Sequence, residues 1–155
     1  MGNILGNAVR FGHADDVMIA GEGIETMLSL REILPTMPMA AATSSAHLAA
    51  IMFPPTLQRL YVARDRDAAG DAAFGILTDR AQAAGIELMS LMPELGDFND
   101  DLREHDASVL GQQVCLLLHE HDRTRFFSIP LVSLVLLVIS GVIVARAARL
   151  PRLRS

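Results

Sequence analysis

Apolar and polar positions along residues 15–92 follow two alternating rhythms. VMIA at 17–20 is a short apolar run between DD and GEG, the pattern of a buried strand that enters a glycine turn. IETMLSLREIL then places apolar residues at 24, 27, 28, 30, 33 and 34, a helical spacing that stops before Pro35. The unit repeats: MAAAT at 39–43 predicts a second, weaker strand, and SSAHLAAIM a short helix with a serine cap, closed by Pro54 and Pro55. LYVA at 60–63 is the third strand. DAAFGILTDRAQAAG is the next helix, with Ala73, Ile76, Leu77, Ala81 and Ala84 on one stripe and Gly85 as its stop. IELMSLM at 86–92 is the fourth strand, after which GDFNDDLREH and ASVLGQQVCLLLHEH predict a loop and one or two closing helices.

Four strands alternating with helices predict an α/β domain, Rossmann-like, with a mostly parallel four-stranded sheet covered on both faces. Such sheets place their sites at the carboxyl ends of the strands. The expected organisation is a ragged segment 1–14, the domain 15–125, an apolar segment 126–145 and a basic tail 146–155. MGNILGNAVRFGHADD lacks the apolar core of a secretory signal, and Gly6 stands where a myristoylation signal prefers Ser or Thr.

The segment FFSIPLVSLVLLVISGVIVA breaks the rhythm with twenty residues and no charge. That length suits a helix crossing a hydrocarbon core of about 30 Å. A buried terminal helix, or unrelated sequence appended by a shifted reading frame, are the competing readings. Arg123 and Arg125 precede the segment and four arginines follow it, which favours a cytoplasmic C-terminus and sets the acidic domain outside. A cytoplasmic domain anchored by 126–145 requires the opposite orientation.

Composition narrows the chemistry. With 51% hydrophobic and 20% charged residues, the 155-residue chain is expected to form one domain with a real core. Cys115 is the single cysteine, which excludes a disulfide framework and a cysteine-rich zinc site within the chain. All 18 acids lie in residues 1–125 beside nine arginines, a net charge of −9 there, and there is no lysine. Phosphate backbones are held mainly by Lys and Arg. Nucleic acid would therefore need a bound metal or a basic partner, and the missing lysine excludes a P-loop of the form G-x-x-x-x-G-K-[ST].

The acids collect at one edge of the expected sheet. Glu22 follows the first strand, Asp65 and Asp67 the third, and Asp97 and Asp100 the fourth. Residues two apart in extended backbone point the same way, so Asp65 and Asp67 can present their carboxylates together while Arg64 and Arg66 face elsewhere. Converging carboxylates repel unless a proton or cation sits between them, and Mg²⁺ suits carboxylate oxygens, water and phosphate. Gly23 and Gly70 lead into helix N-termini whose backbone N–H groups can meet an anion. An isolated Asp-x-Asp pair is more often a solvated turn or a helix cap; three acidic clusters at consecutive strand ends reverse that reading.

GEGIETMLSL, VARDRDAAGDAA and GDFNDDL, in that order, resemble the three signature stretches of a Toprim domain, the catalytic module shared by bacterial primases, topoisomerases and related nucleases. The likeness is greatest to the Toprim domains of phage- and plasmid-type primase or primase-helicase proteins and covers about residues 15–125. It implies that Glu22, Asp65, Asp67 and Asp97 hold Mg²⁺, or Mn²⁺ in its place, with Asp100 a secondary member. It also implies that Glu22 acts as general acid or base with Asp65 and Asp67 in nucleotidyl or phosphoryl transfer. The implied partners are nucleotides and nucleic acid, gripped with the help of a basic domain or subunit, and a helicase or primase partner; the chain would be a fragment or subunit of a primase-like machine.

Other reactive side chains read as structural. His13, His47, His105, His119 and His121 show no zinc-site spacing; Ser44 and Ser45 precede a helix as caps rather than nucleophiles; Met89 and Met92 belong to the core or its edge. Glu25 reads as a first-turn acid favoured by the helix dipole, with a metal role as the minority reading. Tyr61, the only tyrosine, falls inside a buried strand, against a topoisomerase-type nucleophile. Two rivals remain. One is a degenerate Toprim-like interaction module tethered by 126–145. The other is a haloacid-dehalogenase-like phosphatase, disfavoured because its Asp-x-Asp pair usually follows the first strand and a lysine usually assists.

Overall fold

The structure, a computed structural model, describes residues 6–127. Ten elements follow in order: β1 (Val9–Phe11), β2 (Val17–Gly21), α1 (Ile24–Ile33), β3 (Met39–Ala41), α2 (Ser45–Ala49), β4 (Arg59–Ala63), α3 (Ala68–Ala84), β5 (Glu87–Leu91), α4 (Phe98–Leu117) and α5 (Glu120–Phe126). They build one sheet of order β1-β3-β2-β4-β5. β3, β2, β4 and β5 are parallel; β1 is antiparallel to β3, with Val9 opposite Ala41.

The sheet is thus α/β and mostly parallel, but it has five strands where the apolar pattern predicts four. β1 escapes a sequence reading because it is only three residues long and its side chains are largely exposed. It is an edge strand, a position where short length is the rule.

Alternation along the strands divides the core in two. Val17 and Ile19 of β2 and Tyr61 and Ala63 of β4 face Met27, Leu30, Leu110, Val114 and Phe126. Met18, Ala20, Leu60 and Val62 face Leu48, Leu77 and Ala81. Every residue of β2 is therefore buried, as two-sided covering of a parallel strand requires.

The helix caps set the turns at the strand ends. Ser44 Oγ accepts from His47 N at 3.2 Å at the start of α2. α3 begins at Ala68, three residues before the periodicity suggests, because Asp67 caps it; it ends at Gly85, whose φ of 71° suits glycine. GDFNDDLREH, expected as a loop, is largely the first half of α4, capped by Asp97. α4 breaks at Asp106 (φ 74°), whose Oδ1 accepts from Ser108 N and Val109 N and so restarts the helix.

α5 is fastened to the sheet by a buried charge. Asp122, 0% exposed, accepts at Oδ2 from Arg59 Nη1 and from Tyr61 Oη, both at 2.7 Å. The Tyr61 oxygen in turn accepts from His119 N at 2.9 Å. Burial and the neighbouring Asp122 carboxylate push the Tyr61 hydroxyl pKa well above its ordinary value. Arg125 adds a two-pronged contact to Asp16, with Nη1 at 2.7 and 2.8 Å from the carboxylate oxygens. Phe126, placed by its apolar context in the segment 126–145, is the last residue of α5 and lies in the core. The expected membrane segment otherwise begins at the limit of the described residues and lies outside them. Among the described residues, no helix is long and apolar enough to cross a membrane.

Asp122→Ala would leave Arg59 and Tyr61 without their buried acceptor. The expected loss is about 3 kcal/mol of unfolding free energy, and Tyr61→Phe should cost about 2. Urea denaturation of the full chain measures both, and unchanged midpoints would remove this contact from the account of the fold.

Candidate functional site

The carboxyl ends of β2 and β4 and the loop after β5 open on one pocket of about 350 Å³, lined by Glu22, Gly23, Ile24, Glu25, Thr26, Thr43, Asp65 and Asp97. No arginine or histidine contributes to its wall. Glu22, Asp65 and Asp97 come from three separate strand-end loops that the parallel topology brings side by side.

Each acid has its own support. Glu22 is held through its backbone: its carbonyl accepts from Thr43 N at 2.8 Å, and Thr43 sits at φ 68°, a left-handed conformation unusual for a β-branched residue. Just before it, Gly21 is packed so closely that a Cβ would stand 2.6 Å from Met27 Cε and 2.9 Å from the Ala63 carbonyl oxygen. Asp97 caps α4, its Oδ1 accepting from Asp100 N at 2.8 Å.

Asp65 is the half-buried member. Burial first, then the charges of Asp97, Glu22 and Asp67, push its pKa up to about 6. The arginines on either side of it turn to other partners. Arg64 Nε donates to Met92 Sδ at 2.8 Å, with the guanidinium over the Phe74 ring; Arg66 Nε donates to the Pro93 carbonyl at 2.6 Å. These contacts tie the loop after β4 to the loop after β5, as does Arg66 N to the Gly96 carbonyl at 3.1 Å.

The remaining sequence candidates lie differently. Asp67 is exposed and does not line the pocket; its Oδ1 accepts from Gly70 N at 2.7 Å, which makes it the cap of α3. That bond occupies the Gly70 N–H expected to meet phosphate. Gly70 is needed for space: a Cβ there would lie 2.8 Å from the Asp65 carbonyl oxygen. Asp100 is exposed beside Gly96, outside the lining. Gly23 does line the pocket and begins α1 without a side-chain cap.

Two contributors escape a reading by motif. Asp101, 0% exposed, accepts from Glu94 N and Leu95 N, both at 2.8 Å, and so holds the loop that presents Asp97. Its sequence context, one more acid in a run of them, does not mark its burial. Thr43 carries no chemical signature; only its backbone conformation singles it out.

Carboxylate oxygens with a threonine nearby form a donor set for a hard cation that keeps much of its water. Among the described residues, no three His, Cys, Asp or Glu side chains stand grouped so as to hold a metal ion directly. The set therefore fits an ion held by one or two carboxylates together with water and a substrate phosphate, the usual mode for Mg²⁺.

The Toprim domain family matches residues 17–108. A crystal structure of a DNA primase domain from Pseudomonas aeruginosa is similar at 19% identity and a TM-score of 0.46, covering 64% of this chain and 32% of that one, so this chain spans about a third of that protein. No curated protein matches.

The raised Asp65 pKa has a direct thermodynamic consequence. The native state holds the Asp65 proton more tightly than the unfolded chain, so this group's contribution falls as pH rises from the unfolded value near 3.8 through about 6. Asp65→Asn should therefore stabilise the metal-free protein at pH 7.5, by about 1 kcal/mol after solvent screening, and have little effect at pH 4. Urea midpoints at the two pH values test this; equal effects at both would contradict the assigned repulsion.

Proposed function

The chain belongs to the Toprim family, and on that premise we propose that it is a divalent-ion-dependent phosphoryl- or nucleotidyl-transfer module of a primase-like replication protein. The observation that carries this reading is the convergence of Glu22, Asp65 and Asp97, from three strand-end loops, on one pocket with no basic side chain in its wall. Toprim domains as a family bind divalent ions such as Mg²⁺.

One or two of the carboxylates of Glu22, Asp65 and Asp97, with water completing the shell, would hold Mg²⁺, or Mn²⁺ in its place, against a phosphate. A bound ion supplies positive charge that positions the reacting phosphate and offsets charge developing during displacement. Asp65 must give up its proton for this role, so ion affinity should rise as pH passes through about 6. Glu22, on the pocket wall, would take or return a proton at a hydroxyl brought into the pocket. Asp67 acts on the loop, by capping α3, more than on the ion.

With a net charge of −9 over residues 1–125, the domain attracts no polyanion by itself. The strand or primer it acts on is therefore gripped by a basic domain or subunit, and a helicase or primase partner fits that need.

Mn²⁺ titration of the full chain, followed by electron paramagnetic resonance, tests the assignment. Wild type is expected to bind at millimolar or lower concentration, Asp65→Asn to lose about tenfold or more, and Asp67→Asn, which keeps a good cap, to stay within about threefold. Absence of Mn²⁺ binding in wild type would sink the reading.

A further inference from the structure

Beside the three acids, the pocket wall has a second kind of surface that they leave unused. α1 starts at Gly23 with an extended backbone (φ −83°, ψ 139°) and no side chain to cap its first N–H groups. The first backbone bond closing the helix runs from Met27 N to the Gly23 carbonyl, so the N–H groups of residues 24–26 have no acceptor one helical turn back. Thr26 lies in this first turn, is 3% exposed, and nevertheless lines the pocket.

The threonine hydroxyl is the informative group. Among the described residues its Oγ1 has no hydrogen-bond partner, although Ser29 and Thr78 each donate to the carbonyl four residues back in their helices. Instead it points toward the space where Gly23 lacks a side chain: a Cβ on Gly23 would stand 3.2 Å from Thr26 Oγ1 and 3.8 Å from Thr26 N. Its donor is therefore free to meet a group that enters the pocket it lines. Such a group at a helix N-terminus, over a glycine, completes an anion seat of N–H donors and one O–H donor.

We propose that Gly23 and Thr26 form the phosphate seat of this pocket, in which Thr26 Oγ1 and the first-turn N–H groups of α1 hydrogen-bond a phosphate oxygen of the substrate. The inference rests on the transfer reading above and names how its substrate is held. Glu25, exposed in the same turn, and the three acids make the seat unfavourable for a free anion. It fills when the phosphate arrives with a divalent ion, which joins the acidic wall to the helix end across one bound group. The same chemistry serves a nucleoside triphosphate or a phosphodiester of a nucleic-acid strand.

The test is calorimetric titration of the full chain with inorganic tripolyphosphate, a nucleoside triphosphate and a short single-stranded oligonucleotide, each with Mn²⁺, beside titration with Mn²⁺ alone. Thr26→Val keeps the shape and removes the hydroxyl. It should weaken phosphate binding about tenfold or more, the worth of one hydrogen bond to a charged group, and leave Mn²⁺ affinity within about twofold. Thr26→Ser should restore binding. Gly23→Ala, at a backbone conformation open to any residue, should weaken it as well by covering the seat, and it serves if the valine variant folds poorly. Loss confined to the triphosphate arms identifies a nucleotide as the occupant, and loss confined to the oligonucleotide identifies a strand. Unchanged phosphate binding in both variants, or no phosphate binding by wild type that does bind Mn²⁺, overturns the seat and leaves the transfer reading standing. Absence of Mn²⁺ binding removes the transfer reading, and the seat falls with it only if tripolyphosphate also fails to bind with Mn²⁺ present.

Discussion

Two-sided burial of β2 and β4 is the constraint from which the rest of the domain follows. A strand covered on both faces can carry no charge along its middle, and each of its backbone groups must find a partner in the sheet. β2 obeys with Val17–Gly21 buried throughout, and β4 with Leu60–Ala63. Polar chemistry is thereby exported to the strand ends. Because β2, β4 and β5 run parallel, the residues that follow them emerge at the same edge, which is why Glu22, Asp65 and Asp97 meet although they are far apart in sequence.

The aspartates of the domain divide into two trades. Asp67, Asp97 and Asp106 accept backbone N–H groups at helix starts, while Asp101 gathers two N–H groups of a loop from a fully buried position. Asp65 takes no such bond among the described residues. Its carboxylate is left with burial and like charges as neighbours, and its raised pKa records that isolation. The Glu22 carboxylate is likewise without a local hydrogen bond among the described residues, its support coming through its backbone carbonyl. Asp97 does both, spending one oxygen on the cap while it lines the pocket.

Much of this was legible in the residues. The apolar runs at 17–20, 39–43, 60–63 and 86–92 mark the four parallel strands, and the acids after three of them mark the edge that carries the pocket. What stayed hidden depends on contacts distant in sequence. β1 is a strand because β3 offers it hydrogen bonds, not because VRF alternates. The α4 start looked like a loop because its acids are polar, whereas Asp97 as cap and Asp101 as a buried anchor are what make it helical. Asp67 and Asp65 are two apart in the same run, so sequence treats them as equals; the turn into α3 sends one to a cap and the other to the pocket. Thr26 and Thr43 carry no mark that distinguishes them from any other threonine.

The contact of Asp122 with Arg59 and Tyr61 does more than hold a terminal helix in place. Arg59 opens β4 and Asp65 lies two residues past its end, so the fastening and the pocket sit at opposite poles of one strand. Arg125 reaches Asp16, immediately before β2, and confirms the same pole for the end of α5. The domain accordingly has a stem and a mouth that face away from each other. Anything joined at the stem would leave the acidic edge uncovered at the far end of the strand.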